Sequence, residues 1–450
     1  MPLPLDDIRI VEMGQLLAVP HLTRLMADMG AEVIKVESTI RLDPHRGDAF
    51  YGNNPGTQPW NQAANFNDQN RNKLGVTLDL SKAEGREALL DLIRLSDVFA
   101  VNFRPRVLQN LEIEYPTLRE VKPDLIMLTS TGYGSTGPWQ NYGAVGPTTE
   151  AASGLSSMTG YPDGEPVLPE LPHTDYVAAE HGLVAVMAAL LHRQRTGEGQ
   201  LIDLSQAHAQ TATIGEAILD YGLRGEVASP VGNSDRLSAP NDVYPCAGHD
   251  CWIAISVASD QMWASLCSVM ENPSWCQNPK FNSNESRLAH SEELNASLGN
   301  WTKSQEAGQL MHRLQAAGVS AGAVATGKDL LLDPHLRERG FFEAVAHYPD
   351  SGLPALPYVG RPWKFSLTPG QTRSAAPTLG QHNHYVLGNI LGWSEERIVG
   401  LEQSGVIGNA PLDPPTAAPL PLERLLELGA IRQADGDFES IVRRIIQAPQ

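Results

Sequence analysis

Basic residues, aromatics and cysteine are all scarce in this chain of 450 residues. It has 33 Lys+Arg against 52 Asp+Glu, 6% aromatic residues and 4 cysteines. The shortage of cations leaves a formal net charge of -19, which argues against a nucleic-acid backbone as partner, because neutralising phosphates takes clustered Lys and Arg. Long hydrophobic runs are missing too. The longest uninterrupted apolar stretch, Gly182 to Leu191, is too short to cross a bilayer. The opening MPLPLDDIRI has neither the basic nor the apolar region of a secretory signal. A soluble, cytoplasmic protein without membrane contact is the expectation. The cysteines (Cys246, Cys251, Cys267, Cys276) are spaced C-x4-C-x15-C-x8-C, without the C-x2-C pairs of a zinc site, so free thiols and no metal are expected. Neither G-x-S-x-G nor, among the 13 histidines, H-E-x-x-H occurs, which disfavours serine-hydrolase and zincin chemistry. His382 and His384 read as a solvated helix start, for want of a neighbouring carboxylate or cysteine to complete a metal set.

What is present is a globular composition, 42% hydrophobic and 19% charged with mean hydropathy -0.23, enough for a sizeable core. Short β-rich runs alternate with helical periodicity through the first two hundred residues. Strand candidates are Ile8–Met13, Val33–Glu37, Val76–Leu80, Val98–Asn102, Leu125–Thr129 and Leu201–Leu204. Helical spacing covers Leu22–Met29, Ala83–Leu95 and Val177–Arg193. That order predicts an α/β fold, a Rossmann-like large domain with a mainly parallel sheet. Ser81 with Glu84 reads as a capping box for the helix from Lys82, and Gly52 to Asn72 as a long loop. A hairpin at Val243–Val257 followed by Trp-bearing helices predicts a smaller α+β domain. The division expected is 1–224 for the first part of the large domain, 225–330 for the small one, and 331–450 for a C-terminal segment returning to the large domain.

Two glycine motifs mislead. Gly132-Tyr-Gly134-Ser-Thr-Gly137 spells G-x-G-x-x-G after a strand, but no convincing helix follows. The acid near the right distance, Glu150, does not end a second strand where it could hold a ribose. A tight turn is the better reading. Gly322-Ala-Val-Ala-Thr-Gly327-Lys328-Asp329 nearly spells a phosphate loop, yet Asp329 stands where a magnesium-binding hydroxyl belongs, so it reads as a loop before a helix.

Other runs agree in order and spacing with one family. They are Ile8-Arg-Ile-Val-Glu-Met-Gly-Gln15-Leu16-Leu17-Ala18-Val19-Pro20 with Arg24 to Glu37, Asn72-Lys-Leu-Gly-Val-Thr-Leu-Asp-Leu80, Asn102-Phe-Arg-Pro105, Gly132 to Pro138, and Arg195-Thr-Gly-Glu-Gly-Gln-Leu-Ile-Asp203. Together they resemble the family III CoA-transferases, the formyl-CoA transferase and carnitine CoA-transferase group. Weaker echoes extend this to most of the chain.

The resemblance implies that family's fold and a transfer of CoA from an acyl-CoA to a carboxylic acid, with CoA thioester as substrate and no tightly bound cofactor. It implies an aspartate nucleophile opening the helix before the R-x-T-G-x-G-Q run, here Asp175, through an aspartyl anhydride and an aspartyl-CoA thioester. A carboxylate suits that role because it is ionised at neutral pH without a separate base. As a purely structural residue, Asp175 would be a first-turn acid favoured by the helix dipole. Carried over by position, Leu16, Leu17, Leu78, Asn102 and Phe103 would line the CoA groove; in so acidic a chain Arg71 with Lys73 and Arg104 with Arg106 read as phosphate partners, with solvated surface charge as the alternative for each.

Ser38, Ser81 and Thr131 depart from the pattern by standing where CoA-contacting cations are usual. A polyglycine shield has no counterpart near Gly232 to Ser238. The related α-methylacyl-CoA racemases carry a His-Asp motif where this chain has Ala144-Val145-Gly146. That alternative, with His173 or His181 as the second base, and that of one subunit of a heteromeric transferase stay open. An interlocked homodimer, or a heteromer with a related chain, is implied by resemblance alone.

Overall fold

The computed structural model describes residues 2–47, 49–169, 171–414 and 419–447. The β-branched runs form six parallel strands: β1 (Arg9–Met13), β2 (Glu32–Glu37), β3 (Lys73–Thr77), β4 (Val98–Val101), β5 (Ile126–Thr131) and β6 (Leu201–Ser205), in the order β3-β2-β1-β4-β5-β6. Successive strand residues face opposite sides. Val11, Met13, Ile34 and Val36 pack against the helix Ala83–Arg94 and against Val386, Leu387 and Leu401 of the chain's last part. Ile10, Val33, Val98 and Ile126 pack instead against the helices Ala18–Asp28 and His173–Thr196. The strand order reverses between β1 and β4, which opens a crevice at the carboxyl ends of the strands.

Two compact units emerge. One comprises Met1–Leu155, Pro169–Gly215 and Pro334–Gln450, and holds this sheet. The other comprises Ser156–Leu168 and Glu216–Asp333, so it takes in 156–168, 216–224 and 331–333 beyond the range 225–330. Within the second unit an antiparallel sheet of β7 (Asn241–Pro245), β8 (Trp252–Ser256) and β9 (Ser320–Ala323) packs through Tyr244, Ile253 and Ile255 on helices bearing Trp263, Leu294 and Leu310. The near-phosphate-loop run is β9 followed by a helix, Gly327–Leu332, whose start is a capping box of Thr326 and Asp329.

Several local expectations are corrected. β3 begins at Lys73, three residues before the predicted start, because its ladder with β2 runs from Lys73 to Thr77. Ser81 caps no helix. Its hydroxyl donates to Asp79 Oδ1 at 2.6 Å, and Lys82 is the N-cap. The 52–72 segment holds a helix, Ala64–Asn70, anchored by buried Phe66. A C-terminal helix, Phe438–Gln447, lay outside the periodicity reading and sets Phe438 edge-on to Tyr51. The G-x-G-x-x-G run is a turn after β5, with Gly134 at φ 88° and Gly137 at φ 83°, a backbone that favours glycine.

Candidate active site

Beneath the turn after β1 lies a buried charge cluster. Glu12 pairs in register with Lys35 on β2. It accepts hydrogen bonds from Lys35 Nζ (3.1 Å) and Thr23 Oγ1 (2.7 Å) and lies 2.7 Å from Lys73 Nζ. Asp43 lies 3.3 Å from Lys35, so two anions face two cations. Burial and Coulombic attraction oppose each other here. Lys35 is pushed up to about 12 by its carboxylates in spite of burial, while burial brings Lys73 down to about 8.

This cluster fixes the turn that follows. Lys35 Nζ donates to the Gly14 carbonyl (2.7 Å) and Lys73 Nζ to that of Pro20 (2.9 Å). The Leu16 N–H donates to Asp43 Oδ1 (3.0 Å). Leu16 is held at φ 60°, a conformation a branched side chain adopts only where its surroundings impose it. Asn102 clamps the same turn, accepting from Gln15 N at 3.0 Å and donating to Gln15 O at 2.8 Å.

The turn ends at the N-terminus of the Ala18–Asp28 helix, and Asp175 meets it there. Asp175 lies in the first turn of the His173–Thr196 helix, whose N-cap is Pro172. Only 8% exposed, it accepts a backbone hydrogen bond from Ala18. Burial pushes its carboxyl up to about 6, with the Ala18 bond working the other way and Glu150, when charged, adding to the rise. Among the described residues no cation pairs with it. Its carboxylate rests on Gly146, where a β-carbon would stand 2.8 Å from Asp175 Oδ2 and 2.5 Å from Pro172 Cβ. This site therefore has a bare Cα where a side chain would displace the acid.

A cavity of about 740 Å³ opens at the carboxyl ends of β1 to β5. Leu78, Asn102, Phe103 and Arg104 line it, together with Gln15, Leu111, Gly132 and Ala144. Ser38, Ser81 and Thr131, the three positions where CoA-contacting cations were expected, line it as well. The acids on its surface are engaged: Glu37 pairs with Arg46 at 2.7 Å, Asp43 with Lys35, and Asp79 with the Ser81 hydroxyl. Arg41 and Arg104 also line it, neither of them ion-paired among the described residues.

Other carried-over residues lie elsewhere. Leu16 and Leu17 are not among the lining residues. Leu17 is buried, and Leu16 is engaged through its backbone. Lys73 is sealed under the turn, and Arg71, equally buried, pairs with Asp28 at 2.9 Å and Asp68 at 3.5 Å. As phosphate partners these two are corrected, since both are spent inside the protein. Arg106 is exposed, on the helix Pro105–Leu111 outside the cavity wall. His181 is exposed, with Nδ1 on the Val177 carbonyl at 2.8 Å. His384 does have carboxylate neighbours, Glu402 at 3.0 Å and Glu395 at 3.2 Å, yet no metal-holding group of three occurs among the described residues.

Sequence reasoning missed Arg41, Asp43, Tyr142 and Gly146. Tyr142 lines the cavity and stacks on Trp139, centroids 6.1 Å apart. A helix opening with Pro147 after Gly146 was the available signal for the last.

Residues 5–383 match the model of CoA-transferase family III. The chain is 34% identical over 406 residues to succinyl-CoA–D-citramalate CoA-transferase of Chloroflexus aurantiacus, covering 90% of this chain and 98% of that one. It is 32% identical over 408 residues to the alpha subunit of succinyl-CoA–L-malate CoA-transferase of Chloroflexus aurantiacus, covering 90% and 93%. A crystal structure of a CaiB/BaiF family protein from Brucella suis superposes with a TM-score of 0.79 at 28% identity, over 87% of this chain and all of that one. This chain belongs to CoA-transferase family III and is an acyl-CoA:carboxylate CoA-transferase.

Proposed function

We propose that Asp175 carries the transfer covalently, from succinyl-CoA to a small hydroxylated dicarboxylate of the kind named for the two Chloroflexus relatives. The observation behind this reading is a buried carboxylate without a cation, held against a helix N-terminus and a bare glycine. A structural acid at such depth would be paired. Asp175 attacks the thioester carbonyl, the C–S bond breaks, and a mixed anhydride and CoA thiolate result. The thiolate then attacks Asp175 Cγ, expelling succinate and leaving an aspartyl-CoA thioester. The acceptor carboxylate attacks Cγ in turn, releasing thiolate and forming a second anhydride. Thiolate attack on the acceptor's acyl carbon yields the new acyl-CoA and restores the carboxylate. No proton need enter or leave.

Within this scheme Arg41 and Arg104 neutralise CoA phosphates, and the Ala18 N–H at the start of the Ala18–Asp28 helix steadies the charge on Asp175. The run Ala144-Val145-Gly146, where the racemases carry a His-Asp motif, offers no second base, which favours transfer over α-proton exchange. Intact-protein and peptide mass spectrometry after incubation with succinyl-CoA, with hydroxylamine as trap and Asp175→Ala as control, tests the reading. A CoA adduct and a hydroxamate confined to Asp175 are expected. Transfer to D-citramalate or L-malate with no label at Asp175, or exchange of the α-proton of a branched acyl-CoA, would refute it.

A further inference from the structure

Glu150 sits in the helix Gly146–Ala152, four residues after Gly146 and therefore on the same face. That is the face on which the Asp175 carboxylate lies, as the 2.8 Å approach to Gly146 records. Glu150 is 0% exposed, and neither of its carboxylate oxygens has a hydrogen-bond partner among the described residues. A charged carboxylate in such a place would lack both water and donors. A neutral acid is the form that fits, and its proton has an anionic neighbour in Asp175.

We propose that Glu150 is a positioning residue for the transfer, a carboxyl kept protonated beside Asp175 so that the nucleophile is the single negative charge of the site. Two carboxyl groups close together out of water do not both ionise readily. The Ala18 N–H favours charge on Asp175, and nothing comparable favours it on Glu150. Of the titratable groups on the two helices packed against Glu150, His173 acts on it electrostatically, and a charged Glu150 would in turn raise Asp175. His173 Nδ1 lies 2.9 Å from Gln210 Oε1, and His208 on the helix Gln206–Thr211 is exposed. Burial pushes the Glu150 carboxyl up, and His173 offsets only part of that rise. When Asp175 is acylated its charge vanishes, while the neutral neighbour adds no repulsion against the oxyanions that form on either side of it.

The inference rests on Asp175 as nucleophile and is tested apart from it. Infrared spectra of the whole protein at pH 7.5 are compared between wild type and Glu150→Gln, alongside the rate of CoA-adduct formation from succinyl-CoA across pH 5 to 9.5. A protonated-carboxyl band present in the wild type and absent from the variant is expected. Where that band titrates away at high pH the wild-type rate should fall with it, and the variant should lose this alkaline limb, a change that looser packing would not produce. A band that persists throughout, with a flat wild-type rate, supports the proposal equally. Absence of the band at pH 7.5, or an alkaline limb retained by Glu150→Gln, overturns it. Should that variant not fold, wild-type protein labelled with carboxyl-13C glutamate carries the same test, the band having to shift with the label. Failure to find any adduct on Asp175 would instead overturn the covalent reading itself.

Discussion

Replacing Gly146 with alanine tests the site's geometry without touching a chemical group. The added β-carbon would meet Asp175 Oδ2 at 2.8 Å and Pro172 Cβ at 2.5 Å, where ordinary contact begins at 3.4 Å. These neighbours must withdraw by about 0.6 to 0.9 Å, an overpacking that costs about 1–3 kcal/mol of stability. Pro172 is the N-cap of the helix that carries Asp175, so withdrawal shifts the start of that helix, and with it the nucleophile, away from Ala18. A misplacement near 1 Å costs about a hundredfold in rate where reacting atoms must be aligned. The assay is the single-turnover rate of CoA-adduct formation from succinyl-CoA, read by mass spectrometry, beside a thermal melt. The expected result is a loss of about a hundredfold in that rate with a folded protein and a modest fall in Tm. A rate within about twofold of wild type would refute the reasoning, since a misplacement of that size should cost far more.

Asp175→Asn should stabilise the protein while abolishing transfer. The folded carboxyl has its pKa raised to about 6 from 3.8, so ionisation is harder in the folded state. The resulting penalty is absent below the unfolded value, grows between about 4 and 6, and is complete above that range, where it reaches up to about 3 kcal/mol at about 1.4 kcal/mol per unit. The variant should therefore melt higher than wild type at pH 7.5 and alongside it below about pH 4; equal Tm values at pH 7.5 would contradict the raised value. Arg41→Ala and Arg104→Ala should each raise KM for succinyl-CoA by about 10- to 100-fold with little change in kcat, the loss of one charge-assisted hydrogen bond. The effect should shrink with the analogue lacking the 3′-phosphate for whichever arginine meets that group, and unchanged KM in both variants would remove the cavity as the CoA site.

The sheet and the Asp175 helix were legible because both rest on short-range pattern: β-branched runs set between amphipathic segments, and an acid at a helix start. Lys73 shows where that legibility ends. Read as preceding a strand that begins at Val76, it looks like a free cation; with β3 starting at Lys73, its side chain points inward to Glu12, sixty-one positions away along the chain. Nothing local in sequence announces that partner. Ser81 failed in a smaller way, because a hydroxyl two residues from Asp79 has a nearer acceptor than the helix it precedes. Gly146 and Glu150 needed the tertiary fold, since only the packing of two helices shows that the i and i+4 positions look onto the same carboxylate.

Buried charge is treated in two opposite ways within this unit, and the contrast locates the chemistry. Glu12, Lys35, Asp43 and Lys73 neutralise one another, and both lysines also donate to the backbone of the turn from Gly14 to Pro20. Such a cluster gains little over a hydrophobic filling, because desolvation consumes most of the Coulombic attraction. What it adds is direction: four side chains, on β1, β2, β3 and the stretch after β2, hold Leu16 in a left-handed backbone and aim the N-terminus of the Ala18–Asp28 helix at one point. At that point stands Asp175, with the Ala18 N–H but, among the described residues, no cation to stabilise it. A carboxylate left this basic is a better nucleophile than a paired one, and acylation removes the charge that burial penalises. The ion-paired cluster and the acid without a cation are thus two halves of one arrangement, the first rigid so that the second can be held where its charge is least comfortable.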